Sequence, residues 1–234
     1  NPKLLRSYNP IQKLSRKLFV LAVSIIPIII LNYSVPAAIA DYYLNKANKQ
    51  FSVGQIENGD LTLALAAKWN SNSIRINYQQ YLLYRSALNI NGRTDSISER
   101  RALYTKTMSI LKNIEDINPL TGIVPEGRGH LLVENSDIRV DGWEKQAINE
   151  FTNALKLNPI LFRARLALAR LLVQQGDLNE AVPLMNDGIY YFYRSDLLGL
   201  GEFYQYAVKL NLMNGDTIKA REIQIEKGLL LDKQ

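Results

Sequence analysis

The run Leu18–Ala40 holds 23 residues and no charge. As a helix rising about 1.5 Å per residue it reaches roughly 34 Å, enough to cross a hydrocarbon core of about 30 Å. Arg16 and Lys17 bound one end and Asp41 the other, and Tyr33, Tyr42 and Tyr43 sit where amphipathic rings favour a membrane interface. Pro27 and Pro36 each remove a backbone donor and mark sites for a kink. A cleaved signal peptide would show the same parts, with Ala38-Ile39-Ala40 as the cleavage site. The chain retains the run, which favours an anchor. It does not begin with Met, so the run can also be the last span of a longer membrane protein.

Charge supports the membrane reading. The chain carries 28 Lys and Arg against 22 Asp and Glu, a formal +6. Five of the bases (Lys3, Arg6, Lys13, Arg16 and Lys17) precede the apolar run, and no acid occurs before Asp41. The rest of the chain is near neutral, with 23 bases against 22 acids. This is a topology signal, not a phosphate-binding face, so no nucleic acid is expected. It places residues 1–17 in the cytoplasm and residues 41–234 across the membrane.

The side-chain inventory excludes much chemistry. There is no Cys, so disulfides, thiolate metal sites and a Cys nucleophile are all out. One histidine, His130, cannot build a multi-His metal site. No phosphate-cradling glycine motif occurs. No cofactor and no metal are expected, nor is an enzyme activity.

The soluble part repeats. Gly59-Asp60, Gly176-Asp177 and Gly215-Asp216 each open a G-D-x-x-x-A pattern, ending at Ala64, Ala181 and Ala220. Each reads as a glycine ending one helix, an aspartate capping the next, and an alanine on the buried face. Ala147, Phe151 and Ala154 are spaced 4 and 3, which puts them on one helical face before Asn158-Pro159 stops the helix. A second helix follows from Phe162 to Gln175, and Ala181, Met185 and Gly188 repeat the spacing.

These residues, A-x-x-x-F-x-x-A-x-x-x-x-P, then a helix, then G-D-L-x-E-A, resemble the tetratricopeptide repeat over about 143–193. The resemblance implies antiparallel helix pairs stacked into a solenoid with a groove for partner proteins. Gln224 and Lys227 stand where Phe151 and Ala154 stand earlier, which suits a capping helix with a wet outer face. The Gly59 unit departs from the pattern at Lys68 and Ser71. The order of span, G-D-L turn, Asn-Pro-closed helix and repeat pair is also similar to the C-terminal part of bacterial O-antigen ligases or polymerases, and to single-span periplasmic repeat proteins.

The expected organisation is all-α: a basic flank over 1–17, a transmembrane helix over 18–40 and divergent helical repeats over 41–118. An irregular loop follows over 119–140, with one short helix around Leu131, and then repeats with a capping helix over 141–234. Helices are expected at about 74–91 and 97–115.

Several residues stand out as candidate sites. Arg163 and Arg170 are seven apart with Leu166 between them; by the resemblance they face the groove and would receive an acidic peptide or terminal carboxylate, and otherwise they form a solvated face with ordinary ion pairs. The cluster Tyr190, Tyr191, Phe192 and Tyr193, with Phe203, Tyr204 and Tyr206 nearby, reads first as packing between repeats; Tyr190, Tyr191 and Tyr193 are also candidate aromatic anchors for a partner. Asn32, inside the apolar run, would hydrogen-bond to a neighbouring membrane helix. Tyr78, Tyr81 and Tyr84 read as core. His130 reads as a solvated loop histidine, and Glu126, Glu134 and Asp137 as loop carboxylates with no apolar surroundings to raise a pKa. The function this supports is a membrane-anchored scaffold of a bacterial envelope complex, in the inner membrane with the repeats in the periplasm. The other reading is a ligase fragment whose chemistry lies in spans outside this chain. The partner and the oligomeric state stay open.

Overall fold

The computed structural model describes the backbone of the chain apart from residues 1–9, 54, 91–95, 136–137, 139–140, 192–196 and 232–234. Side chains are described from Val23 on, apart from those residues and 29–30, 56, 90, 197–199, 227 and 229–231. The described residues form ten α-helices and no strand. They divide into two compact units, Asn1–Ile76 and Asn77–Gln234.

The first unit holds α1 (Pro10–Ser52), α2 (Ile56–Trp69) and the start of α3 (Ile74–Ile90). Helix α1 passes through Pro27 and Pro36 without a break. Its stretch from Val23 is long and apolar enough to cross a membrane. Val23, Ile26, Ile28 and Leu31 are all more than half exposed. From Ala40 the character changes: Ala40, Leu44 and Ala47 are buried, where α2 folds back on α1.

The buried face of α2 is Gly59, Leu63 and Ala66, again spaced 4 and 3. Gly59 and Asp60 therefore lie inside a helix, not at a turn, and Ala64 is exposed. The reason is contact: a Cβ on Gly59 would collide with the Phe51 ring of α1. This glycine is there because two helices meet closely.

The second unit continues with α4 (Ile97–Ile117), α5 (Ile123–Glu134), α6 (Trp143–Leu157), α7 (Phe162–Gln174), α8 (Leu178–Ile189), α9 (Leu197–Met213) and α10 (Thr217–Leu231). Consecutive helices from α4 to α10 pack on one another. The 4-and-3 spacing recurs as Thr107, Leu111 and Ile114 in α4, as Ala147, Phe151 and Ala154 in α6, and as Ala181, Met185 and Gly188 in α8, and every one of these residues is buried. In α10, Ala220 and Ile223 are buried and Gln224 is exposed, as a one-sided terminal helix requires.

The two Asn-Pro stops are the same structure used twice. Asn118 and Asn158 each donate a backbone N–H to the carbonyl four residues back, at 2.9 and 2.8 Å. Each side-chain oxygen then accepts the backbone N–H two residues on, both at 3.2 Å. At Gly176 and Gly215 the backbone is left-handed, with φ of 88° and 81°. There the Asp177 and Asp216 amides bond back to Leu172 and Asn211 at 2.9 and 2.8 Å, closing Schellman turns. Asp216 also caps α10, accepting the Lys219 amide at 2.9 Å; Asp177 makes no such bond.

Residues 119–140 depart from the expected irregular loop. Most of the segment is α5, which begins at Ile123 rather than near Leu131. Gly127 and Gly129, which read as loop residues, are buried packing positions. A Cβ on Gly127 would fall 2.9 Å from Leu111, and one on Gly129 would fall 2.7 Å from the Phe151 ring. The helix is glycine-rich because α4 and α6 press on it.

Candidate functional site

Three helices of the second unit converge on a cleft of about 290 Å³. Helix α3 supplies Tyr78, Tyr81 and Arg85; α5 supplies Glu126 and His130; the start of α7 supplies Phe162 and Arg163. Ile160 and Leu161, set by the Asn158-Pro159 stop, form part of the wall.

Charge in the cleft is largely matched. Arg85 forms a two-pronged pair with Glu134: Nε donates to Oε2 at 2.9 Å and Nη2 donates to Oε1. Asn89 adds a third donor to the same carboxylate at 3.1 Å. Burial opposes ionisation of Glu134, but the hydrogen bonds and charge of Arg85 outweigh it and hold its pKa below the usual value.

The pKa of Glu126 is shifted the opposite way. Burial raises its pKa, and the charges of Arg163 and Arg85 and a hydrogen bond from the Ala164 amide offset this only in part. That amide explains its place. Helix α7 has no acid in its first turn and no side-chain cap at Leu161. Glu126 reaches across from α5 to satisfy one of its open N–H groups.

His130 is not a solvated loop residue. Its side chain is 15% exposed, and its ring stands edge-on to Phe151 with centroids 5.2 Å apart. Burial, then the charge of Arg85, pushes its pKa down to about 4, against the pull of Glu134. The ring is therefore neutral near pH 7. Its Nδ1 lies 3.7 Å from Glu134, and its Nε2 is buried with no hydrogen-bond partner. A base of that pKa is poorly matched to proton abstraction near neutrality. The Tyr81 hydroxyl is a second buried group without a partner in bonding geometry, although the Arg85 guanidinium is close by. The Tyr78 and Tyr81 rings stack at 5.9 Å.

The cleft thus offers a guanidinium at its rim and aromatic and aliphatic walls. Such a lining suits a peptide segment that brings an acidic group to the guanidinium and apolar side chains to the walls.

The other sequence candidates go elsewhere. Arg170 does not share the cleft with Arg163: it pairs with Glu202 of α9 at 2.5 Å and lies 5.4 Å from the Tyr206 ring. Tyr190 is 77% exposed at the end of α8, and Tyr191 lies beneath the Arg165 guanidinium at 5.4 Å. Tyr193 and Asp137 lie outside the described residues. Asn32 is exposed on α1. Tyr81 and Tyr84 are buried, as expected for core, while Tyr78 is half-buried in the cleft wall.

Besides Arg85, which pairs with Glu134 in the cleft, Arg165 and Asn211 escaped the sequence reading. Arg165 is buried, donating to the carbonyls of Leu184 at 2.8 Å and Pro159 at 3.0 Å, so it ties α8 to the Asn-Pro stop. Asn211 is buried and exchanges two amide hydrogen bonds with Asn186, at 2.8 and 3.1 Å. Nothing in the local sequence distinguishes either from a surface residue.

Comparison with known proteins agrees with this architecture. The tetratricopeptide-repeat family model matches residues 144–195. No curated protein matches the chain. Among solved structures, MamA protein is similar at a TM-score of 0.53 and 13% identity, covering 83% of this chain and 93% of its own. MamA from residue 41 to its end, from Desulfovibrio magneticus RS-1, gives 0.52 and 15%, covering 83% and 96%. TTC0263, a thermophilic TPR protein in Thermus thermophilus, gives 0.52 and 14%, covering 80% and 89%. At these identities the likeness is one of fold. The chain is an all-α protein with a tetratricopeptide-like helical solenoid, preceded by one helix long and apolar enough to cross a membrane.

Proposed function

We propose that this chain is a membrane-anchored scaffold protein. Its repeats hold an extended segment of a partner protein in the cleft between α3, α5 and α7. The observation that carries this reading is the cleft lining: the Arg163 rim and the Tyr78 and Phe162 walls. Helix α1 anchors the protein in a bacterial inner membrane, with the N-terminus in the cytoplasm and residues 41–234 in the periplasm. The basic flank before the apolar run supports that orientation. Confinement near the bilayer raises the effective concentration of the repeats for other membrane proteins. Asn32, exposed on α1, would bond to a neighbouring span, and Tyr190 would add a second contact outside the cleft. No catalytic role is assigned to the chain.

The test places a photo-crosslinking amino acid at Ile160, which is 56% exposed in the cleft wall, in the full chain within native membranes. A discrete crosslinked protein is expected, lost at least about tenfold on Arg163→Glu if the rim contributes a charge-assisted contact. No crosslink, together with a monomeric particle in mild detergent, would overturn the scaffold reading.

A further inference from the structure

Helix α2 carries a large aromatic residue at its last position, and the geometry of the first unit sets its height. Gly59 of α2 lies against Phe51 of α1. Because α2 folds back on α1, ten residues on to Trp69 and ten residues back to Asp41 cover the same distance, about 15 Å. Trp69 and Asp41 are therefore level. The Arg75–Asp41 pair at 3.3 Å fixes the chain just beyond Trp69 to that same height.

Asp41 is the first charge after the uncharged run. Below it, α1 is largely exposed and apolar; above it, one face of α1, at Leu44 and Ala47, is covered by α2. Trp69 is 46% exposed and Tyr42 is 63% exposed at this boundary, and Lys68 beside them is also exposed. Trp and Tyr gain at the headgroup level, where an apolar ring and a polar edge are both accommodated. Lys68 matches anionic headgroups. Asp41, which would be repelled by them, is paired with Arg75.

We propose that the end of α2 is seated in the headgroup layer of the bilayer that α1 crosses, with Trp69 as the inserted residue. The hairpin then touches the membrane at two points, and rotation of α1 about its axis is restricted. This rests on α1 spanning a membrane.

The test uses the full chain in vesicles of phosphatidylcholine and phosphatidylglycerol. The protein has two tryptophans, Trp69 and Trp143, so Trp143→Phe leaves Trp69 as the only emitter. Trp143→Tyr serves if the first variant loses helix content. Lipid brominated near the headgroup is expected to quench Trp69 at least about twofold, and more than lipid brominated deep in the chains. The converse variant, Trp69→Phe, should show no lipid quenching. Emission from Trp69 that bromolipid leaves unchanged, in vesicles where the chain floats and resists alkaline extraction, overturns the seating while α1 remains a span. A chain that is extracted by alkali overturns both.

Discussion

The α1–α2 hairpin and the α7–α8 hairpin both contain Gly-Asp, yet the two glycines do unrelated work. Gly176 turns the chain, with φ of 88° and open space where a Cβ would be. Gly59 sits inside α2, where a Cβ would collide with Phe51. One glycine is required by its own backbone, the other by a neighbouring helix. Only the first requirement is local. The same distinction separates Gly127 and Gly129, which serve contact, from Gly215, which serves a turn.

The comparison can be tested in four steps of decreasing size. Leu63→Ala in α2 and Met185→Ala in α8 remove fully buried side chains at matching positions, and each should cost about 2–5 kcal/mol. Hydrogen exchange in detergent would locate the loss. Leu63→Ala should expose α1–α2 amides and spare α5–α8, and Met185→Ala should do the reverse; uniform loss in both would mean that the two units unfold as one.

Gly59→Ala should cost about 1–3 kcal/mol by overpacking, and Phe51→Leu in the same chain should recover part of it. Absence of coupling in a double-mutant cycle would contradict the contact reading of Gly59.

The packed setting of Gly-Arg-Gly-His predicts a pH effect. The folded state binds the His130 proton more weakly than an unfolded chain, whose histidine titrates near 6.5. The resulting stabilisation is complete above about pH 6.5 and is lost as pH falls through about 4. Glu126, whose pKa is raised, acts with the opposite sign, so the measurement is the difference in pH slope between the protein and His130→Gln. Equal slopes would return His130 to a solvated site.

Gly176→Ala should give the smallest effect, about 1 kcal/mol from left-handed backbone alone. No neighbouring substitution should relieve it, because nothing lies within 4 Å of the added methyl.

Legibility in the sequence followed the range of the interactions. The 4-and-3 spacing of Ala147, Phe151 and Ala154 marked a buried face because helix geometry is periodic. Asn158-Pro159 marked a stop because proline restricts the residue before it. Helix α5 was obscured because its glycines and its Pro125 are also loop residues, and only α4 and α6 give them a reason to be helical. The cleft was legible through Arg163 alone. Its tyrosines, Arg85, Glu126 and His130 come from α3 and α5, and Arg170 was drawn off by Glu202, 32 residues away.

What the sequence determined by itself is what the chain imposes within a few turns: an uncharged run long enough to span a bilayer, helices with one apolar stripe, and glycine or proline at their ends. What only the tertiary structure decided is which polar groups meet. Arg85 with Glu134, Glu126 with the Ala164 amide, and His130 against Phe151 all join separate helices. Those contacts, and not residue type alone, shift their pKa values: burial dominates at Glu126 and His130, and the Arg85 guanidinium outweighs burial at Glu134. The local sequence does not name these neighbours.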